Sequence, residues 1–172
     1  MNIYFSGMIG SGKTTLGRLL AHRLDRPFFD LDEEMDRRLG HSFHMLVKEK
    51  GWLAFRELEY SICKDLAQRR DSVICLGGGT VRYEWNRDLL RGTGRVILLE
   101  VSEAELVRRV QAADRPRVNP GTTLEEDVHL MWSRERSKYY EAADAVYRAE
   151  GKLIEEEVED LRRLCVFEHT QR

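Results

Sequence analysis

Apolar positions along the 172-residue chain fall into two spacings that take turns. Short continuous apolar runs mark strands buried on both faces. They occur at Asn2–Ser6, Pro27–Asp30, Val73–Leu76, Arg95–Val101 with its Val96-Ile97-Leu98-Leu99 centre, and Ala145–Tyr147. Between them apolar residues recur three and four apart, the period of a helix with one buried face. Leu16, Leu19, Leu20 and Leu24 share one such face, and Glu33–Leu39 is a second helix stopped by Gly40. Ser42 is positioned to cap a short helix through Leu46 and Val47 that Gly51 breaks. Phe55, Leu58, Ile62 and Leu66 then carry another to about Arg70. Further helices are predicted over Glu84–Leu90, from Ser102 to about Gln111 with Glu105 completing a capping box, and from Thr123 to Ala143. The last runs from Lys152 to Leu164, with Leu153, Ile154, Val158, Leu161 and Leu164 inward.

Five strands alternating with helices specify an α/β fold, a three-layer αβα sandwich around a five-stranded parallel sheet. One domain is expected over residues 1–165, with 166–172 as a tail. Residues 112–122 contain Arg115-Pro116-Arg117, Asn119-Pro120 and Gly121 and read as a mobile lid. Ligands in such sheets bind beyond the carboxyl ends of the strands, which directs attention to residues 7–14, 30–32, 77–80, 102 onward and 148–151.

The first of these segments carries the clearest chemistry. Gly7-Met8-Ile9-Gly10-Ser11-Gly12-Lys13-Thr14 is a complete G-x-x-x-x-G-K-[ST] pattern between a strand and a helix, the context that a nucleotide-phosphate loop of the P-loop NTPase type requires. Its glycines let backbone N–H groups turn inward at the positive end of the helix, and phosphate is the natural ligand. Lys13 is expected to reach the β- and γ-phosphates, and the Thr14 hydroxyl to sit on Mg²⁺. Asp30 and Asp32 follow the second strand, where carboxylates can serve a metal and a reacting hydroxyl or simply cap the helix that begins there.

Composition narrows the partners. The net charge is −2 with 34% charged residues, so no basic field argues for nucleic acid or a membrane surface. Cys63, Cys75 and Cys165 have no metal-ligand spacing, and the first two lie among apolar residues as buried, reduced thiols. No signal peptide is expected before the phosphate loop, and no apolar run approaches the roughly 18 residues that span a bilayer. A cytoplasmic monomer is the expectation.

The strand ends together resemble the shikimate kinase family. The resemblance rests on the phosphate loop, Phe29-Asp30-Leu31-Asp32, Phe55-Arg56-Glu57-Leu58-Glu59, Gly77-Gly78-Gly79, Arg115-Pro116, and Arg136 four residues before Tyr140. It covers almost the whole chain and implies ATP-dependent phosphorylation of the shikimate 3-hydroxyl, giving shikimate 3-phosphate and ADP. By that resemblance Asp30 holds Mg²⁺ through water and Asp32 bonds the substrate hydroxyls. Arg56 and Arg136 grip the shikimate carboxylate, and Gly77, Gly78 and Gly79 present backbone N–H to it. The resemblance makes Arg115 the lid arginine that closes on the transferring phosphoryl group, and Arg109 or Arg108 the one that packs on adenine. Gly10, Ser11, Gly12, Lys13, Thr14 and Thr15 complete the ATP site, with Lys13, Asp32 and Arg115 catalytic. The pattern departs from the family at Arg117-Val118, where two leucines are usual, and at Trp52, where a glutamate is common. Two other readings keep the loop: a gluconate or nucleoside-monophosphate kinase, which has no need of Arg56, the triple glycine and Arg136 together, and a catalytically silent nucleotide-binding module.

Overall fold

The fold was analysed in a computed structural model, which describes residues 1–110 and 117–166. The elements run in the predicted order: β1 (Asn2–Ser6), α1 (Lys13–Leu24), β2 (Phe28–Asp30), α2 (Leu31–Leu39), α3 (Phe43–Ala67), β3 (Val73–Cys75), a 3₁₀ turn (Thr80–Arg82) and α4 (Glu84–Leu90). They continue with β4 (Gly94–Glu100), α5 (Glu103–Val110), α6 (Leu124–Ala142), β5 (Ala145–Arg148) and α7 (Ile154–Val166). All strand pairs are parallel and the strand order is β2-β3-β1-β4-β5. The phosphate loop therefore leaves the central strand. Every residue of β1 and β3 is buried, as parallel strands covered by helices on both faces must be. One continuous hydrophobic core joins Phe5, Ile74, Ile97 and Leu98 of the strands to Leu20, Ile62, Tyr139 and Leu161 of the helices.

Local signals account for most boundaries. Gly40 ends α2 in the left-handed conformation, and the Ser42 hydroxyl caps α3 by accepting from the His44 N–H at 3.2 Å. The predicted break at Gly51 is a kink inside α3, with Gly51 at φ 80° and ψ 178°, a conformation that favours glycine.

Three expectations are corrected. α2 begins at Leu31, two residues early, because the Asp30 carboxylate accepts from the N–H groups of Asp32 and Glu33 and caps it. The capping box at Ser102 is incomplete. Glu105 is drawn to Arg108 and Arg109, and Glu150 takes the Ser102 N–H at 2.9 Å. A full capping box instead opens α6, between Thr123 and Glu126. Finally, Leu153 and Ile154 do not face the core: Leu153 precedes α7 and is 69% exposed, while Ile154 borders the cleft described next.

Candidate active site

A cleft of about 540 Å³ lies over the carboxyl ends of the strands and has two distinct ends. One end is the phosphate loop. Gly10 and Gly12 adopt φ 80° and 92°, so Gly12 turns the chain into α1 with its first N–H groups open to the cleft. No acidic residue stands in the first turn of α1 to compete with an anion there. Lys13 Nζ folds over the loop and donates to the carbonyls of Gly7 at 2.8 Å and Met8 at 2.9 Å, which fixes its ammonium at the loop's centre. Arg109 closes this end: its guanidinium donates to Glu105 at 2.7 Å and reaches the Gly10 and Ala149 carbonyls at 3.4 and 3.3 Å. Arg108 points to solvent, so Arg109 is the cleft arginine of the two. Lys152, Ile154 and Glu157 line the same end, and nothing in their sequence spacing marked Glu157 or Lys152 as cleft residues.

The loop meets the other end of the cleft through Thr14 and Asp30. The Thr14 hydroxyl donates to Asp30 Oδ2 at 2.6 Å while Asp30 Oδ1 caps α2, so one carboxylate is both a cap and a neighbour of the phosphate loop. The cap positions Asp32 in the first turn of α2, on the wall of the cleft.

Across from Asp32, α3 supplies a buried ion pair. Arg56 donates to Glu59 Oε2 at 2.7 Å, one turn away, and Glu59 is 1% exposed. Glu59 also accepts from the Thr80 hydroxyl at 2.8 Å and from Asn86 at 3.4 Å, which ties α3 to the 3₁₀ turn and α4. The Arg56 guanidinium lies over the rings of Phe55 and Tyr83, 4.7 and 4.8 Å from their centroids, with Trp52 at 5.7 Å. Trp52, a departure from the family pattern, is thus part of the wall around Arg56.

The glycines at 77 and 79 are explained by crowding. A Cβ on Gly77 would stand 3.1 Å from Asp32 Oδ1 and 3.2 Å from Glu59 Oε1. One on Gly79 would stand 2.9 Å from Arg56 Nη2 and 2.6 Å from Arg82 Nη2. Neither has a positive φ, so the requirement is close approach of charged side chains. The Gly78 carbonyl accepts the hydroxyl of Tyr139, a fully buried phenol whose pKa burial pushes up to about 12.

That last contact corrects the expected carboxylate grip. Arg136 is not in the cleft. It lies on the exposed face of α6, its guanidinium over the rings of Trp132 and Tyr140 at 5.8 and 5.7 Å. The tyrosine that anchors α6 beneath the glycine loop is Tyr139, whereas Tyr140 donates to Glu100. The residue four before the anchoring tyrosine is therefore Glu135. Arg115 and Pro116 lie outside the described residues. Residues 117–119 are held by a side chain that the sequence did not single out: buried Asp127 accepts from the N–H groups of Val118 at 3.1 Å and Asn119 at 2.8 Å.

A loop shaped for phosphates, joined through two carboxylates to a buried arginine, is a site for moving a phosphoryl group to a small acceptor. Comparison with known proteins names the family. The shikimate kinase family model matches residues 9–165. The chain belongs to the shikimate kinase family. Shikimate kinase of Pseudomonas aeruginosa is 35% identical over 172 residues, covering 95% of this chain and 98% of its own. That of Chlorobium luteolum is 34% identical, over 94% of this chain and 83% of its own. Among solved structures, shikimate kinase from Acinetobacter baumannii in complex with shikimate superposes with a TM-score of 0.91 at 26% identity. It covers 99% of this chain and 95% of that one. As a shikimate kinase family member the protein is an ATP-dependent kinase, and its sheet and P-loop are those of the family.

Proposed function

We propose that the cleft transfers the γ-phosphoryl group of ATP to the 3-hydroxyl of shikimate, forming shikimate 3-phosphate and ADP. The observation that carries this reading is the continuous wall from Lys13 and Thr14 through Asp30 and Asp32 to Arg56. A phosphate loop, two carboxylates and an arginine lining one cleft support the roles of donor site, base and acid grip.

The loop N–H groups from Gly10 to Thr15 cradle the β- and γ-phosphates, and Lys13 exchanges its loop carbonyls for phosphate oxygens. The Thr14 hydroxyl and the Asp30 carboxylate are hard oxygen donors 2.6 Å apart beside the loop, a set that suits Mg²⁺, with Asp30 acting through a water. Thr14 and Asp30 would hold Mg²⁺ there, and the ion would supply neutralisation of phosphate charge. Asp32 orients the 3-hydroxyl and accepts its proton as the new P–O bond forms and the bond to the ADP oxygen breaks. Arg56 pairs with the shikimate carboxylate, held in place by Glu59, and Gly77 to Gly79 leave room for the ring. Arg109 packs on the nucleotide, and Arg115 closes from the lid to exclude water.

A coupled ADP-release assay with shikimate, quinate and gluconate side by side tests the reading. Turnover with shikimate is expected to exceed the others by orders of magnitude, and turnover with gluconate alone would overturn it. Asp32→Asn should lower kcat about 10²-fold or more while nucleotide affinity stays intact. Near-normal turnover in that variant would remove Asp32 from the chemistry.

A further inference from the structure

The acid-binding end of the cleft has an unexpected charge arrangement. On α6 the residues Asp127, Met131 and Tyr139 are buried, and Glu135 continues their four-residue ridge, so a carboxylate occupies the position facing the arginines. Its Oε2 is buried and pairs with Lys138 at 2.7 Å. The only arginine beside it in sequence that the resemblance invoked, Arg136, is on the outer face. A ridge ending in Glu135 repels a carboxylate, and Arg134 on the same helix borders the neighbouring pocket but is exposed and does not line the cleft, which directs the search for a second cation to another element.

We propose that Arg82, in the 3₁₀ turn after the triple glycine, is that cation, and that Arg56 and Arg82 together form the carboxylate clamp of this enzyme. The assignment rests on shikimate being the acceptor, and it fixes which residues read its acid group. Both guanidinium groups converge at Gly79, where Arg56 Nη2 and Arg82 Nη2 lie 2.9 and 2.6 Å from the site a Cβ would take. Both line the cleft. Arg56 has one carboxylate partner, Glu59, and Arg82 has none within ion-pair distance among the described residues; with Glu135 paired to Lys138, the two arginines against Glu59 keep a net positive charge. The Nε of each is buried and has no hydrogen-bond partner among the described residues. Two like charges held side by side with buried, unmatched N–H groups are stabilised by an anion between them, and a planar carboxylate suits two guanidinium forks. The local sequence makes this possible: Gly79 removes the side chain that would separate the arginines, and the 3₁₀ turn carries Arg82 back over Gly79, whose carbonyl accepts the Arg82 N–H at 3.1 Å.

Steady-state kinetics with shikimate and with its uncharged methyl ester test the clamp. Arg82→Met should raise the KM for shikimate roughly 10- to 100-fold and leave the KM for ATP within about twofold. It should also erase most of the preference for acid over ester, which a general loss of structure would not do. Arg82→Lys, retaining a charge without the fork, should recover part of that preference, and thermal unfolding of each variant checks that it is folded. Arg136→Met should have the smaller effect on both quantities. If Arg82→Met and Arg82→Lys keep the wild-type preference, or if Arg136→Met has the larger effect, the clamp is overturned. If the wild-type protein turns over no shikimate, it is the acceptor assignment that fails, so the two failures are told apart by the first measurement.

Discussion

Glu59 concentrates the cost of building this site. It is buried against Arg56, Thr80 and Asn86, so its removal leaves a buried guanidinium without a partner. Glu59→Ala is expected to destabilise the fold by about 3–5 kcal/mol, read as a lower urea midpoint. Glu59→Gln, which can keep the bond to Thr80, should cost less. Tyr139 sets a limit at the alkaline side. Burial raises its pKa to about 12 from 10, so the folded state prefers the protonated phenol. Its contribution is complete below pH 10 and is lost as the pH rises through 12. Stability measured between pH 10 and 12 should therefore fall, and Tyr139→Phe should flatten that part of the profile. Lys13, Asp30 and Asp32 line the cleft from a glycine turn and a strand end, places legible in the sequence, whereas Arg56 lines it from within α3 and was singled out by its motif. The sequence did not mark Arg82 or Glu135, whose roles depend on which way a turn and a helix face.

At the scale of elements, the helix starts show how one local pattern can be read at two places. Ser102 and Thr123 both precede a glutamate three residues on, yet only Thr123 forms the reciprocal pair. Arg108 and Arg109, one turn further along α5, outcompete the backbone for Glu105 and hold its pKa down to about 2 through their hydrogen bonds. Thr123→Ala should cost about 1 kcal/mol of stability, seen as a lower thermal midpoint, because it frees an N–H at the start of α6. Since α6 carries Asp127 and Tyr139, fraying there would loosen the Val118–Asn119 segment and the glycine loop together. Gly51 is a break that one residue was enough to predict: its φ of 80° and ψ of 178° are not helical, so α3 is two helical segments meeting at a kink there.

Over the whole molecule, the sheet buries two of the thiols beneath the site. Cys63 is fully enclosed and burial pushes its pKa to about 12, while Cys75, whose Sγ donates to the Lys13 carbonyl at 3.0 Å, is raised well above its ordinary value by burial. Both stay protonated near neutrality, so alkylation at pH 8 should modify them only at the rate of global unfolding. Rapid labelling of Cys75 in the native protein would contradict the packing of α1 on β3. Strand and helix order, the phosphate loop and the parallel sheet were determined by the sequence alone, because they depend on short continuous apolar runs, on apolar residues three and four apart, and on glycines at fixed spacing. Tertiary structure decided the acceptor end. Tyr139 and Tyr140 are adjacent, and either could have been the buried one; only the packing of α6 beneath Gly78 chose Tyr139. That rotation turned Arg136 outward, brought Glu135 to the inner ridge, and left Gly7 to Thr14 sharing a cleft with arginines from α3 and the turn after the triple glycine.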